Sequence, residues 1–548
     1  MSRQFALLRT LLCALLCVLG TQALAKNIDI AFLESKPKGL ARDFYIWRFL
    51  SEESTSLQDA LKAYELIHRK TPKLKALLEK KGMPNELPKE LQCARLEFSS
   101  LLTQDLECIG YGLKLSQIPS LSPQNLKALK DKVAPNKSLS TKVEILSSKT
   151  ILTKMLQSDA KTFAQIYNAL TQKQKESIIN QAIKPQRLKK LADENAPAFN
   201  KMLQGIILSD SLPRFKKSLL NAHVTKASPY TLFLLGINEL MAKNTKNALA
   251  YFKLAQSSSK DALLHNKALF WQYYVSKDKK LLIKLAQSSN IDIYSIYAAQ
   301  KLHTTPQYTI ITDFTPLSEQ KPPFDIQDPF EWEILRANLL QVSDTKALSE
   351  LTQEFAFVDS LAHMAYVHNR ATKYQNNYFL SPFAQAIQWK STHQKSLTYA
   401  IARQESNFLP ALISTSYALG MMQIMPFNVA PFAKSMGLED IRLEDMFNPI
   451  IALEFGRFYL EELEREFKNP LFVAYAYNGG PGFLRRTLAQ KKLFIKKRKY
   501  EPWLSMELIP YEESRVYGLK VLANYIVYQE LFGNNIALEQ LLKTTLIN

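Results

Sequence analysis

Over more than half of this chain, from Gly112 to Gly420, only Gly205 and Gly236 supply glycine. Sandwiches and barrels need glycine at their many tight turns, where the backbone takes positive φ; long helices need almost none. The middle of the chain is therefore expected to be helical throughout, and the fold class to be all-α. At 548 residues, with 47% apolar and 22% charged side chains, the chain is globular in composition and long enough for several cores.

Apolar residues recur at helical spacing through the first half. Leu57, Ala60, Leu61 and Tyr64 share a face within residues 51–66, and Phe163, Ile166, Tyr167 and Leu170 share one within 161–170. Between Leu232 and Lys260, Leu235-Gly236 followed by Ala248, Phe252 and Ala255 falls at tetratricopeptide spacing. Small residues let two antiparallel helices approach while Phe252 fills the groove between pairs. The closing-proline slot holds Lys260 and the tyrosine slot Glu239, so an ordinary helical hairpin is the other reading. Pro306, Pro316, Pro322, Pro323 and Pro329 then crowd a short stretch and forbid a helix interior there. The expected layout is a leader at 1–25, a helical superhelix of tetratricopeptide-like pairs at 26–303, a Pro-rich linker with linker helices at 304–378, and a separate glycine-richer unit at 379–548.

The leader reads as a secretory signal. Arg3 and Arg9 precede the apolar run Leu11 to Leu19, which is too short to span a bilayer, and Ala23-Leu24-Ala25 suits a cleavage site. A leader that stays attached as a short anchor is the alternative. Cys13 and Cys17 each follow leucine, which excludes a lipidation site. Cleavage would leave Cys93 and Cys108, which can pair in an oxidising compartment; two buried free thiols are the alternative. The expected location is the periplasm, without stable membrane insertion once the leader is removed. The formal net charge is +20, and the leader accounts for only two of the cations. Such a chain seeks anionic partners. For an exported protein these are the carboxylates of the cell wall rather than nucleic acid.

Helical spacing puts Leu397, Ile401, Glu405 and Phe408 on one face, so Glu405 interrupts an apolar stripe. Burial there disfavours the ionised form and makes the carboxyl a candidate general acid near neutrality. A structural pair with Arg403 is the competing reading. The residues around it carry a resemblance. Ala402-Arg403-Gln404-Glu405-Ser406-Asn407-Phe408, Gly420-Met421-Met422-Gln423-Ile424-Met425-Pro426, Ala476-Tyr477-Asn478-Gly479-Gly480-Pro481-Gly482 and Ile509-Pro510-Tyr511-Glu512-Glu513-Ser514-Arg515-Val516-Tyr517 follow one another in the order of four motifs. In this the chain resembles the soluble lytic transglycosylases, a branch of the goose-lysozyme-like glycosidases.

The resemblance covers roughly residues 396–525. It implies a lysozyme-like α-helical catalytic domain behind the superhelix. It also implies cleavage of the MurNAc-GlcNAc β-1,4 bond of peptidoglycan, with formation of 1,6-anhydro-MurNAc ends. Glu405 takes the place of the sole acid/base, and Ser414 that of a serine polarising the acetamido group. By the same resemblance Met422 and Gln423 fall at positions that line the glycan groove, Tyr477 and Asn478 match residues that face the scissile sugar, and Glu513 matches a position that contacts the peptide stem. Tyr417 stands where the family commonly has glycine, and Ala452 where many members have asparagine. No cofactor is implied. No cysteine spacing suits zinc, and His363 and His368, five apart, lie on different helix faces, so no metal is expected either. A monomer acting on glycan strands is expected.

Two other features have a functional and a bland reading. Glu439, Asp440, Glu444 and Asp445 could supply a second carboxylate to a hydrolase or simply form a solvated loop. Arg485, Arg486, Lys491, Lys492, Lys496, Lys497, Arg498 and Lys499 could attract wall strands or form a solvated basic face. The readings competing with the transglycosylase are a muramidase of the same fold and a non-catalytic helical scaffold.

Overall fold

The structure is a computed structural model and describes residues 28–82 and 84–547. The expected signal segment lies outside them. Among the described residues the chain is all-α, as expected; its one sheet is the parallel pair β1 (Ile310–Ile311) and β2 (Asn377–Tyr378). No helix among them is long and apolar enough to cross a membrane. The chain divides into two compact units at Gln92/Cys93. In the first, Ser56 caps the helix Leu57–Glu65, which buries Ala60, Ala63 and Tyr64, so the helix starts later than the sequence pattern suggests. The second unit opens with a disulfide between Cys93 and Cys108.

Within the second unit, antiparallel helices stack in sequence. We label α1 (Pro197–Leu208), α2 (Pro229–Met241), α3 (Thr245–Ser258), α4 (Ala262–Ser276) and α5 (Ile293–Leu302). Polar caps fix the starts of α2, α4 and α5: Ser228 accepts from Thr231 N ahead of Pro229, Asp261 accepts from Leu264 N, and Asp292 accepts from Tyr294 N and Ser295 N. The α2–α3 pair meets through the residues read from the sequence. Ala248, Phe252 and Ala255 are fully buried, and a Cβ at Gly236 would stand 2.6 Å from a Phe252 ring carbon. Glu239, in the tyrosine slot, is buried and ties the turns on either side, accepting from Asn221 N and Asn244 Nδ2.

The Pro-rich stretch is ordered. Phe314, Leu317 and Phe324 pack against a small core of Leu339, Leu348, Phe355, Met364 and Val367. His363 stands among Phe324, Trp332 and Phe355, and burial drives its pKa down to about 3. The C-terminal helices are α6 (Thr392–Ser406), α7 (Pro449–Phe467), α8 (Pro470–Gly479), α9 (Trp503–Glu507) and α10 (Glu512–Leu531). The long α10 is the spine of this region, with α6 and α8 packed along it. Ser391 caps α6, and Asn448 and Asn469 cap α7 and α8, each followed by proline at the first helical position.

Candidate active site

Glu405 sits in the last turn of α6. Leu397 and Ile401, on the same face, are buried to within 1%. Asn407 ends the helix in the left-handed conformation (φ 49°), so Phe408 enters the core from the following loop and not from the helical stripe. Arg403 is turned away from Glu405. It donates to the carbonyl of Tyr378 (2.7 Å) and to Asn524 Oδ1 (2.6 Å), and its guanidinium lies over the Phe379 ring. The partner of Glu405 comes from α10: the Tyr517 hydroxyl donates to Glu405 Oε1 at 2.6 Å.

This environment sets the proton affinity of the carboxyl. Burial is the largest influence and pushes Glu405 up to about 7; the hydrogen bond from Tyr517 opposes it, and the negative charge of Glu513 adds to it. Tyr477 and Tyr517 are held well above the usual phenol range, first by burial and then by the Glu405 charge, so both stay protonated donors. No carboxylate from the 439–445 loop is among the groups that shift Glu405. In that loop Asp445 accepts from the Arg442 amide and starts a short 3-10 turn.

The second motif wraps the site by a tight backbone path. Gly420 has φ +74°, and a Cβ there would fall 1.8 Å from the Met446 carbonyl oxygen, so no other residue fits. Gln423, also at positive φ (50°), folds its amide back to donate to the carbonyls of Gly420 (2.8 Å) and Leu412 (3.1 Å). Met422 is fully buried, and its backbone carbonyl accepts the Tyr477 hydroxyl at 2.7 Å. The Tyr477 ring packs on Tyr459, with centroids 5.2 Å apart. Ser414 Oγ accepts from the amides of Ala418 (2.9 Å) and Ser416 (3.3 Å), which leaves its own proton for another acceptor. Asn478 donates to Glu513 Oε1 (3.4 Å), while its carbonyl oxygen accepts from Ser514 Oγ (2.7 Å).

These contacts draw two groups together: Glu405 with Tyr517, and Asn478 with Glu513 and Ser514. A third contact joins Tyr477 to the Met422 backbone. Tyr517 was not singled out from the sequence, although it closes the fourth motif string; only the α6–α10 packing brings it to a residue 112 positions away. Met422 contributes backbone at this point rather than an exposed side chain. Two surface cavities, of about 450 and 400 Å³, include none of the seven site residues. Of the basic run, Arg485 pairs with Glu466, Lys492 with Asp210, and Arg498 with Glu501. Among the described residues no group of three His, Cys, Asp or Glu side chains is arranged to hold a metal ion.

Residues 382–499 match the family of the transglycosylase SLT domain. The chain is 34% identical over 146 residues to the soluble lytic murein transglycosylase of Salmonella typhimurium, a match covering 26% of this chain and 22% of that protein. It is 32% identical over 142 residues to the Escherichia coli protein of the same name, covering 26% and 21%. The match thus spans about a fifth of these curated relatives. Among solved structures, the 70 kDa soluble lytic transglycosylase of Escherichia coli aligns with a TM-score of 0.49 at 17% identity, over 94% of this chain and 84% of that one. The lytic transglycosylase Slt of Pseudomonas aeruginosa aligns with a TM-score of 0.42 at 16% identity, over 91% and 83%.

Proposed function

We propose that this chain, whose C-terminal part belongs to the soluble lytic transglycosylase family, cleaves the MurNAc-GlcNAc β-1,4 bond of peptidoglycan with Glu405 as its sole acid/base. The observation that carries this reading is a carboxyl raised to about 7, bonded to a tyrosine donor and not to a cation. Such a group is protonated in much of the population at neutral pH and can release and retake a proton with little cost.

The reaction follows from having one acid. Glycosidases that work with two carboxylates use the second as nucleophile or as base for water. With one, Glu405 gives its proton to the glycosidic oxygen as the bond to C1 of N-acetylmuramic acid breaks. The substrate's acetamido oxygen shields C1, oriented by the Ser414 hydroxyl, whose proton is not used by its backbone partners. Glu405, now a carboxylate, takes the proton of the C6 hydroxyl, whose oxygen closes on C1. The products are a free 4-hydroxyl and a 1,6-anhydro ring. Tyr517 donates to the carboxylate and so stabilises it between the two transfers. Tyr477 and Asn478 face the scissile sugar, Gln423 shapes the groove wall, the Met422 carbonyl holds the Tyr477 hydroxyl behind it, and Glu513 contacts the peptide stem. We place the reaction in the periplasm, after export of a monomer.

Mass spectrometry of muropeptides after digestion of sacculi tests this. Wild type should release anhydro ends, and Glu405→Gln should lower the rate at least ~1,000-fold. Reducing ends from wild type would make the chain a muramidase. Equal products from both proteins would remove Glu405 from the reaction.

A further inference from the structure

The interface between the helical layer and the C-terminal helices is built around a charge the proposed chemistry does not use. Glu507, at the end of α9, is 1% exposed. Its carboxylate accepts from Lys267 Nζ (2.7 Å), from the Tyr294 hydroxyl (2.7 Å) and, at 3.4 Å, from Trp271 Nε1. Lys267 and Trp271 belong to α4 and Tyr294 to α5, and all three are buried. Trp503, on the same short helix as Glu507, packs on Phe270 of α4 with centroids 4.3 Å apart. A buried ion pair that is fully hydrogen-bonded adds little net stability compared with apolar packing, but it accepts only one geometry.

What that geometry fixes becomes clear along the next ten residues. Past Ile509, whose carbonyl accepts from Arg515, the segment contacts the helical layer and the candidate site by turns. Glu512 pairs with Lys201 of α1, and the Arg515 guanidinium lies 5.5 Å from the Tyr230 ring of α2. Between and beyond these, Glu513 and Ser514 hold Asn478, and Tyr517 holds Glu405. The segment running from α9 into α10 thus meets α4 and α5 at Glu507 and α1 and α2 at Glu512 and Arg515, while Tyr517, further along, presents the hydroxyl that bonds the carboxyl.

We propose that Lys267, Trp271 and Tyr294 are positioning residues: by anchoring Glu507 they hold the strap Glu507–Tyr517 so that the Tyr517 hydroxyl stays on Glu405. The helical layer then acts on the acid itself, in addition to any hold on substrate. This inference rests on the reading of Glu405 as the acid. The groups facing Glu405 are Tyr517 and Glu513 on α10 and Tyr477 on α8; on its own helix, Arg403 is engaged elsewhere. Because Tyr517 donates, it favours the ionised carboxyl. A slack strap leaves burial less opposed, and Glu405 should hold its proton to higher pH.

The test uses the full-length chain, with Tyr294→Phe, the neutral pair Lys267→Met with Glu507→Gln, Tyr517→Phe as reference, and, as a destabilised control, Leu188→Ala at a fully buried leucine of the helix Pro185–Ala192. Lytic rate on sacculi is followed against pH, with Tm measured in parallel. Tyr294→Phe and the neutral pair should move the basic limb upward by roughly half a pH unit, in the direction of Tyr517→Phe. Leu188→Ala should lower Tm and leave the limb in place. Anchor variants that lose Tm while their limb stays at the wild-type position overturn the proposal. If the neutral pair does not fold, Tyr294→Phe decides. Infrared difference titration, with the Glu405 band identified by Glu405→Gln, reads the carboxyl without activity. Should Glu405→Gln remain fully lytic, the functional reading falls, and the infrared shift in Tyr294→Phe alone supports the strap or, if absent, overturns it.

Discussion

At the scale of single residues, the site sets one half-buried carboxyl, largely withdrawn from water, against the stability of the fold. Glu405 titrates near 4.5 when exposed and about 7 in the folded chain. The folded state therefore binds this proton more tightly than the unfolded one. Its contribution to stability is complete below the exposed value and is lost as pH rises through about 7. The loss is on the order of 3 kcal/mol above that pH. Glutamine keeps the shape of the protonated acid and never ionises. Glu405→Gln should therefore leave Tm nearly unchanged at pH 5 and raise it at pH 8, measured by calorimetry on both proteins. A Tm difference equal at the two pH values would mean that the carboxyl does not pay a burial cost. The apolar stripe Leu397–Ile401–Glu405 announced this tension in the sequence. It could not announce the partner, because Tyr517 reaches Glu405 only through the packing of two helices far apart in the chain.

At the scale of elements, the legible parts were those where small and large residues recur at helical spacing. Gly236 and Phe252 could be paired from the sequence because a helix hairpin brings those positions face to face, and there is no room at Gly236 for a methyl group. Gly236→Ala would drive the Phe252 ring off its rotamer or part the two helices. The gain in helix propensity, about 1 kcal/mol, is outweighed by an overpacking cost of about 1–3 kcal/mol, so denaturant unfolding should show a net loss. Phe252→Leu in the same background should restore part of it; no restoration would place the strain elsewhere. Other elements were less legible. The Pro-rich stretch could be excluded from helix, but its apolar residues Phe314, Leu317 and Phe324 gave no period from which a shared core could be read. Lys267 gave a signal that was passed over: a lysine inside the apolar run of α4 must find a buried acid, and its partner lies 240 residues on.

At the scale of the whole molecule, net charge acts independently of the site. The balance of +20 is a property of composition and survives any detail of the fold. The structure shows why the basic run at 485–499 contributes less than its formal charge. Arg485, Lys492 and Arg498 each face a carboxylate within the same unit, so their charges cancel at long range; the Arg485 and Lys492 pairs are exposed and add little stability, while the Glu501 carboxylate that meets Arg498 is buried. The attraction to an anionic polymer should then come from cations spread over the chain rather than from this run. Between about 0.01 M and 1 M salt the screening length falls from about 30 Å to about 3 Å, so binding to purified sacculi should weaken steeply over that range. A Lys491→Gln, Lys497→Gln double variant should keep most of that salt dependence, because it removes two charges from a large excess. Sedimentation of Glu405→Gln with sacculi measures binding without turnover, and the double variant in that background gives the comparison. If the pair of substitutions abolished the salt dependence, the basic run would be the docking surface after all, and its three ion pairs would have to open on contact with the wall.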